Sequence, residues 1–386
     1  MSQAKQRVAV VLFNLGGPDS QEAVRPFLFN LFNDPAIIGA PGPVRWALAQ
    51  FISRTRAPQS RKVYGEMGGS SPLLGWTEKQ ATALEGDLAA RLAGDVEARA
   101  FIAMRYWKPF TKDAVEAVKA FGPDEIVLLP LYPQFSTTTT GSSLREWDMA
   151  ARRAGLDVPT RTVCCYPEND HLVEAHAQLL ATTLRDAAGP SRILFSAHGL
   201  PERVIEAGDP YQSQVEATAA RVVERLAHLD CGAHAYDWVV CYQSRVGPLK
   251  WIGPSTDDEI ARAAADQQAI VLTPIAFVSE HVETLVELDI EYREVAEELN
   301  AISYRRVPAL GLQPDFIAAL ASAVEGALKQ ACAGVSRADG GRCAAAWGEC
   351  PRRALTEHSV SSETEKSSVA VDRLPDVAAA VSSKAG

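Results

Sequence analysis

No stretch of this chain is apolar for long enough to cross a bilayer as a helix. Its longest apolar runs, such as Ile126–Leu131 and Ala269–Leu272, fall far short of the roughly 20 residues that a span needs. Positive charge is not in excess either. The 38 Lys and Arg face 48 Asp and Glu, a formal net charge of −10, so no overall field draws the chain to nucleic acid. Nucleotide fingerprints are missing: Val8–Asp19 and Gly65–Ser71 have neither the P-loop lysine nor the dinucleotide pattern, and no nucleotide cofactor is expected. No secretory signal is visible, since the polar Met1–Arg7 runs straight into an apolar segment. The expected location is therefore the cytoplasm, where the seven cysteines are not expected to form structural disulfides.

What is present is a soluble globular balance, 47% hydrophobic and 22% charged, over 386 residues, enough for two domains. β-Branched apolar runs predict strands at Val8–Leu15, Ala98–Met104, Glu125–Leu131, Thr160–Cys165, Arg192–Ser196, Asp237–Tyr242, Ala269–Ile275 and Ser303–Val307. Segments with helical spacing lie between them, among them Thr111–Phe121, Gln212–Ala227 and Thr256–Asp266. Continuous apolar strands alternating with helices indicate parallel sheets covered on both faces. The halves repeat each other: VLFNLGG at 11–17 answers ILFSAHG at 193–199, and EIVLLPLYPQFS at 125–136 answers AIVLTPIAFVS at 269–279. The expected fold is α/β. It has two similar Rossmann-like domains, 1–165 and 166–330, each with a mostly parallel four-stranded sheet, and a cleft between them. A cysteine-bearing extension (331–353) and a disordered tail (354–386) should follow.

Ligands of such sheets bind beyond the carboxyl ends of the strands, so the polar residues there are the candidates. His198, in SAHGLP, ends one strand and can exchange a proton near neutral pH. On position alone, a hydrogen-bonded loop histidine explains it equally well. Ser279–Glu291 follows another strand and reads as a helix with Ser279 as its N-cap. Spacing by four puts Glu283, Glu287 and Glu291 on one face, beginning beside His281. A row of like charges is usually a solvated face, but a row leading into a cleft can conduct protons or a divalent cation. Arg105-Tyr106-Trp107, Tyr132–Ser136 and the 67–72 turn add aromatic rings and hydroxyls suited to a flat, apolar ligand. Ordinary core packing accounts for them as well. Segment 41–62 carries Val44, Trp46, Leu48 and Phe51 with five basic residues and no acid. That pattern fits an anionic membrane surface or a core-facing helix with a basic rim.

In this order the segments LFNLGGP (12–18), MGGSSPL (67–73), AMRYW (103–107), LYPQFS…TTTGSSL (131–144), SAHGLP (196–201), GDPY (208–211), QSRVGPLKWIGP (243–254) and PIAFVSEHVETLVELDIEY (274–292) resemble the ferrochelatase family. The resemblance covers about residues 7–325. It implies an enzyme, a lyase that inserts Fe²⁺ into protoporphyrin IX to give protohaem with release of two protons. Fe²⁺ is then substrate. His198 and Glu283 would be the catalytic pair, with His198, His281, Glu283, Glu287 and Glu291 handling the metal. Leu15, Arg56, Tyr64, Ser71, Arg105, Tyr106, Tyr132 and Trp251 would line the porphyrin site. Leu15 stands where some members have Met, and Gln59 where some have a second basic residue. Segment 41–62 would be the lip that touches the membrane.

Some ferrochelatases hold a [2Fe–2S] cluster through four thiolates, three of them in such an extension. Here Cys332, Cys343 and Cys350 would supply three. Thr137 stands where some relatives place the fourth, which leaves Cys164 or Cys165. On an extended strand only one of that adjacent pair should point at the cluster. Plain thiols remain the other reading. Coproporphyrin as substrate, a cobalt-inserting chelatase of corrin synthesis and a bilobed solute-binding module are the alternatives. The oligomeric state is open between monomer and homodimer.

Overall fold

The computed structural model describes residues 5–351, apart from 93, 95, 233–234, 246–248, 332–333, 340–342 and 345–346. Cys332 and the expected tail 354–386 thus lie outside the described residues.

The strands are β1 (Gln6–Asn14), β2 (Val96–Met104), β3 (Glu125–Pro130), β4 (Thr160–Cys165), β5 (Ser191–His198), β6 (Tyr236–Gln243), β7 (Ala269–Pro274), β8 (Tyr304–Arg306) and β9 (Val335–Arg337). The helices are α1 (Val24–Phe32), α2 (Gly42–Glu66), α3 (Leu73–Arg91), α4 (Thr111–Phe121), α5 (Thr140–Ala154), α6 (Asp170–Arg185), α7 (Glu202–Glu206), α8 (Tyr211–Leu226), α9 (Thr256–Ala265), α10 (Tyr292–Glu298) and α11 (Pro314–Leu328). A π-helix, Glu283–Glu291, precedes α10.

All eight expected strands form, in two parallel sheets ordered β2-β1-β3-β4-β9 and β6-β5-β7-β8. The first four strands of each sheet share one order, as the repeated motifs require. Both faces are covered. Val8, Val10 and Leu12 pack toward α3 and α11, while Ala9, Val11 and Phe13 pack toward α4 and α5. This double burial is why the strands read as continuous apolar runs rather than alternating ones.

The first sheet has five strands, not the expected four. β9 comes from the cysteine extension and pairs parallel with β4. Three residues in a Gly/Ala-rich segment are too few to show a period. What seats the strand is charge: Arg337, almost fully buried, reaches Asp339 at 2.5 Å and also pairs with Glu168.

α6 joins the halves. Leu172 and Ala175 belong to the core of the first sheet, and Val173, Ala177, Leu180 and Leu184 to that of the second. α11 crosses back as well, burying Phe316, Leu320 and Val324 against β3 and β4. Hydrogen bonds close the seam. Asp209, at the head of α8, accepts from the Thr137 amide (2.7 Å) and hydroxyl (2.8 Å) and from Ser136 (3.0 Å) in the loop after β3. Gln80 of α3 donates to the Val278 and Gly311 carbonyls and to Ser279.

Candidate active site

In a sheet ordered β6-β5-β7-β8, strands β5 and β7 flank the point where chain direction around the sheet reverses, and a crevice opens there. His198 is the last residue of β5. The segment after β7 turns back over it and brings up the π-helix. His198 Nδ1 and a Glu283 oxygen meet at 2.9 Å, with 41% of the imidazole side chain exposed. Gly199 follows because nothing larger fits: a Cβ there would lie 2.9 Å from the Gln243 carbonyl oxygen and close to Trp251.

Charge sets the proton affinities. Burial disfavours a charged imidazole, but Glu283, through charge and hydrogen bond, and Glu287 outweigh it and hold His198 above its usual value. Burial likewise opposes charge on Glu283, yet His198 and then His281 hold that carboxyl below the usual range. Burial followed by the neighbouring Glu283 charge pushes Glu287 up to about 7, against its donors Ser244 and Gln243. Glu291, exposed at the outer end, is raised by burial and by Glu66, Glu294 and Asp257. One helix thus carries a carboxylate fixed as an anion, one poised near neutrality and one at the surface.

The helix differs from the expected one. Ser279 is not its N-cap, because the Ser279 hydroxyl is engaged by Gln80 and the helical backbone begins at Glu283 with π geometry. π-Bulges of this kind concentrate at functional sites. His281 is buried against Phe277, 4.9 Å between ring centres, with Nδ1 3.2 Å from the Ser279 carbonyl. Burial lowers its proton affinity.

The pocket-wall candidates divide into two groups. Tyr64, Tyr106 and Leu15 pack together with Val282, next to Glu283, and Glu283 adds to the burial that raises the Tyr64 phenol. Trp251 pairs by backbone with Pro201 and lies against Gly199. Arg105 points elsewhere. It binds buried Asp34 (2.8 Å) and Ser142 (2.7 Å) at the floor of a separate cavity of about 1110 Å³ between α4 and α5. Tyr132 lies toward α5, beside Ser143 and Arg105. Tyr106 reaches the same Asp34 through its hydroxyl, at 2.8 Å. Arg56 stacks over Phe32, and Ser71 packs against Gly17.

Three polar residues escaped the sequence reading. Gln243, Ser244 and Asp209 lie in the QSRVG and GDPY segments, and only their places after strands and before a helix hinted at a role. Ser244 and Gln243 hold Glu287. Asp209 caps Tyr211 (3.0 Å), whose side chain backs the His198 main chain.

The cysteines gather at a second place. Cys164 and Cys165 sulfurs are 3.5 Å apart, and Cys164 also contacts Cys350, whose sulfur is 3.8 Å from that of Cys343. Of the adjacent pair, Cys164 is the one in contact with Cys350, while Cys165 receives the Gln214 side chain at 3.6 Å; a register shift between Val163 and Cys165 interrupts the ladder here. Among the described residues no group of three or more His, Cys, Asp or Glu forms a ready metal site. Thr137 is taken by Asp209.

The profile of the family described as Ferrochelatase matches residues 7–328. A curated ferrochelatase of Caulobacter vibrioides is 59% identical over 350 residues, 90% of this chain and 98% of that one. Those of Phenylobacterium zucineum and Rickettsia bellii are 56% and 48% identical, covering 90% and 83% of this chain and 98% and 87% of their own. Among solved structures, SirB from Bacillus subtilis with Fe³⁺ aligns with a TM-score of 0.48 and 11% identity over 83% of this chain and 95% of its own.

Proposed function

The chain belongs to the ferrochelatase family, and from that premise we propose that it inserts Fe²⁺ into protoporphyrin IX at His198. The family makes it a metal chelatase of haem synthesis with a porphyrin and ferrous iron as substrates. The solute-binding alternative finds no support. The observation that carries the finer reading is the 2.9 Å contact of His198 with Glu283.

Two pyrrole protons must leave as the metal enters, so a base is needed on one porphyrin face. With Nδ1 donating to Glu283, Nε2 is the nitrogen left to take a proton. The ionised Glu283 stabilises the imidazolium that forms. Glu287, poised near neutrality, can pass a proton outward toward exposed Glu291, or a cation inward, since carboxylates and imidazole suit a borderline divalent ion. Tyr64, Tyr106, Leu15 and Trp251 supply apolar walls for a flat ring. A rigid wall that bends the ring exposes its nitrogen lone pairs, which favours the transition state over the flat substrate.

α2 is read as the lip. Trp46 is 54% and Phe51 66% exposed, with Val44 and Leu48 beside them, while only small residues and Tyr64 of this helix are buried. Large apolar side chains with Arg54 and Arg56 suit an anionic bilayer surface. No described helix is long and apolar enough to cross a membrane. The sulfur group around Cys164 is read as the seat of a [2Fe–2S] cluster held by Cys164 or Cys165, Cys350, Cys343 and Cys332. A cluster there would tie the extension to β4.

Four outcomes follow. Anaerobic Fe²⁺ insertion, followed by the porphyrin Soret band, should proceed with protoporphyrin IX faster than with coproporphyrin, and Co²⁺ should not be preferred. His198→Ala should cut turnover by about 100-fold or more, the scale of lost acid–base catalysis; turnover within about threefold of wild type would remove His198 from the chemistry. Co-sedimentation with vesicles should rise with anionic lipid and fall with salt, and equal binding to neutral vesicles would contradict the lip. Protein purified without oxygen should contain about two irons and two acid-labile sulfides and lose them in Cys164→Ser; sulfide-free wild-type protein from iron-replete cells would refute the cluster.

A further inference from the structure

Ser244 stands one residue beyond β6 with φ = +59°, a conformation shared among described non-glycine residues by Gln267 and Asn300. Serine is strained there and glycine would not be. A strained residue at a functional site is held by what it contacts, and here the contact is Glu287. The Ser244 amide donates to one Glu287 oxygen at 2.9 Å, and its hydroxyl to the other at 2.6 Å. The Gln243 side chain adds a third bond at 3.1 Å. Gln243 is itself fixed by Ser196 at 2.9 Å, two residues before His198 on β5.

This clamp has work to do. Glu287 shares its helix with Glu283, and their charges repel. Free to rotate, Glu287 would swing away from the pair. Donors arriving from the β6 side occupy part of each oxygen and leave its remaining lone pairs for a cation.

We propose that Ser244 is a positioning residue for metal delivery: its hydroxyl and amide hold the Glu287 carboxylate in the orientation that passes Fe²⁺ from Glu291 to His198 and Glu283. The proposal rests on the metal-insertion reading above and adds to it the device that aims the middle carboxylate.

The test exploits the backbone. Ser244→Gly removes the hydroxyl but relaxes the strained φ, so the protein should fold with an unchanged or higher Tm. Its Fe²⁺-insertion kcat should fall about 10-fold, the equivalent of one hydrogen bond to a charged group. KM for Fe²⁺ should rise and KM for protoporphyrin IX should not. Ser244→Asn tolerates the same φ and restores a donor, so it should recover to within about threefold of wild type. In a Glu287→Gln background, Ser244→Gly should cost nothing further, because the group it aims is gone. Wild-type kinetics in Ser244→Gly, or an equal loss in both backgrounds, would overturn the proposal. A wild-type enzyme that inserts no Fe²⁺ would instead overturn the functional reading, and this inference with it.

Discussion

The 2.9 Å contact between His198 and Glu283 is the constraint on which the rest of the structure depends. His198 ends β5 and Glu283 opens the π-helix that follows β7, and they meet only because β5 and β7 are neighbours. The return segment after β7 must also be held to a fraction of an ångström. Gln80 pins Ser279 from the first half. Arg306 pins Glu280 at 2.8 Å, and the Ala309 amide donates to the same oxygen at 3.0 Å. The Thr284 hydroxyl accepts from the His281 amide at 2.9 Å, just before the π-helix runs. Seen this way, the seam between the halves is part of the site. Asp209 and Gln80 fix the distance between the halves.

The same contact explains the unusual charge pattern. A carboxylate is tolerable beside a second one only if each has its own counterpart. Glu283 has the imidazole. Glu287 has three neutral donors and, among the described residues, no ion-pair partner of its own, with burial and Glu283 pushing it up to about 7, which is the property a relay between protein and solvent needs. The π geometry, with its extra residue per hydrogen-bonded loop, is the backbone's contribution. It lets Glu283 face β5 while Glu287 faces the end of β6.

Much of this was legible in the sequence because both sheets are buried on two faces. Strands β1 to β8 announced themselves as apolar runs, and the internal repeat gave their shared order. His198 and the acidic row stood out as candidates because one ends β5 and the other lies in the segment that follows β7. Other features left no such mark. β9 is three residues long and is seated by Arg337, an ionic contact without a period. The π-helix has the same spacing of acids as an α-helix would. The register shift between Val163 and Cys165 is a backbone event in a strand that reads as regular. Arg105 adjoins Tyr106 in the sequence, and both reach the buried carboxylate of Asp34, a contact that the spacing of the motifs does not reveal. Asp34 is far away in the sequence.

The central claim is that the Glu283 charge makes His198 a stronger base than its burial alone would allow. Removing that charge leaves burial, which lowers an imidazole's proton affinity. The direct measurement is an NMR titration of the His198 ring nitrogens in wild type and in Glu283→Gln. The account predicts a wild-type pKa above the ordinary value of about 6.5 and a fall below it in the variant. The same pKa in both proteins would contradict it.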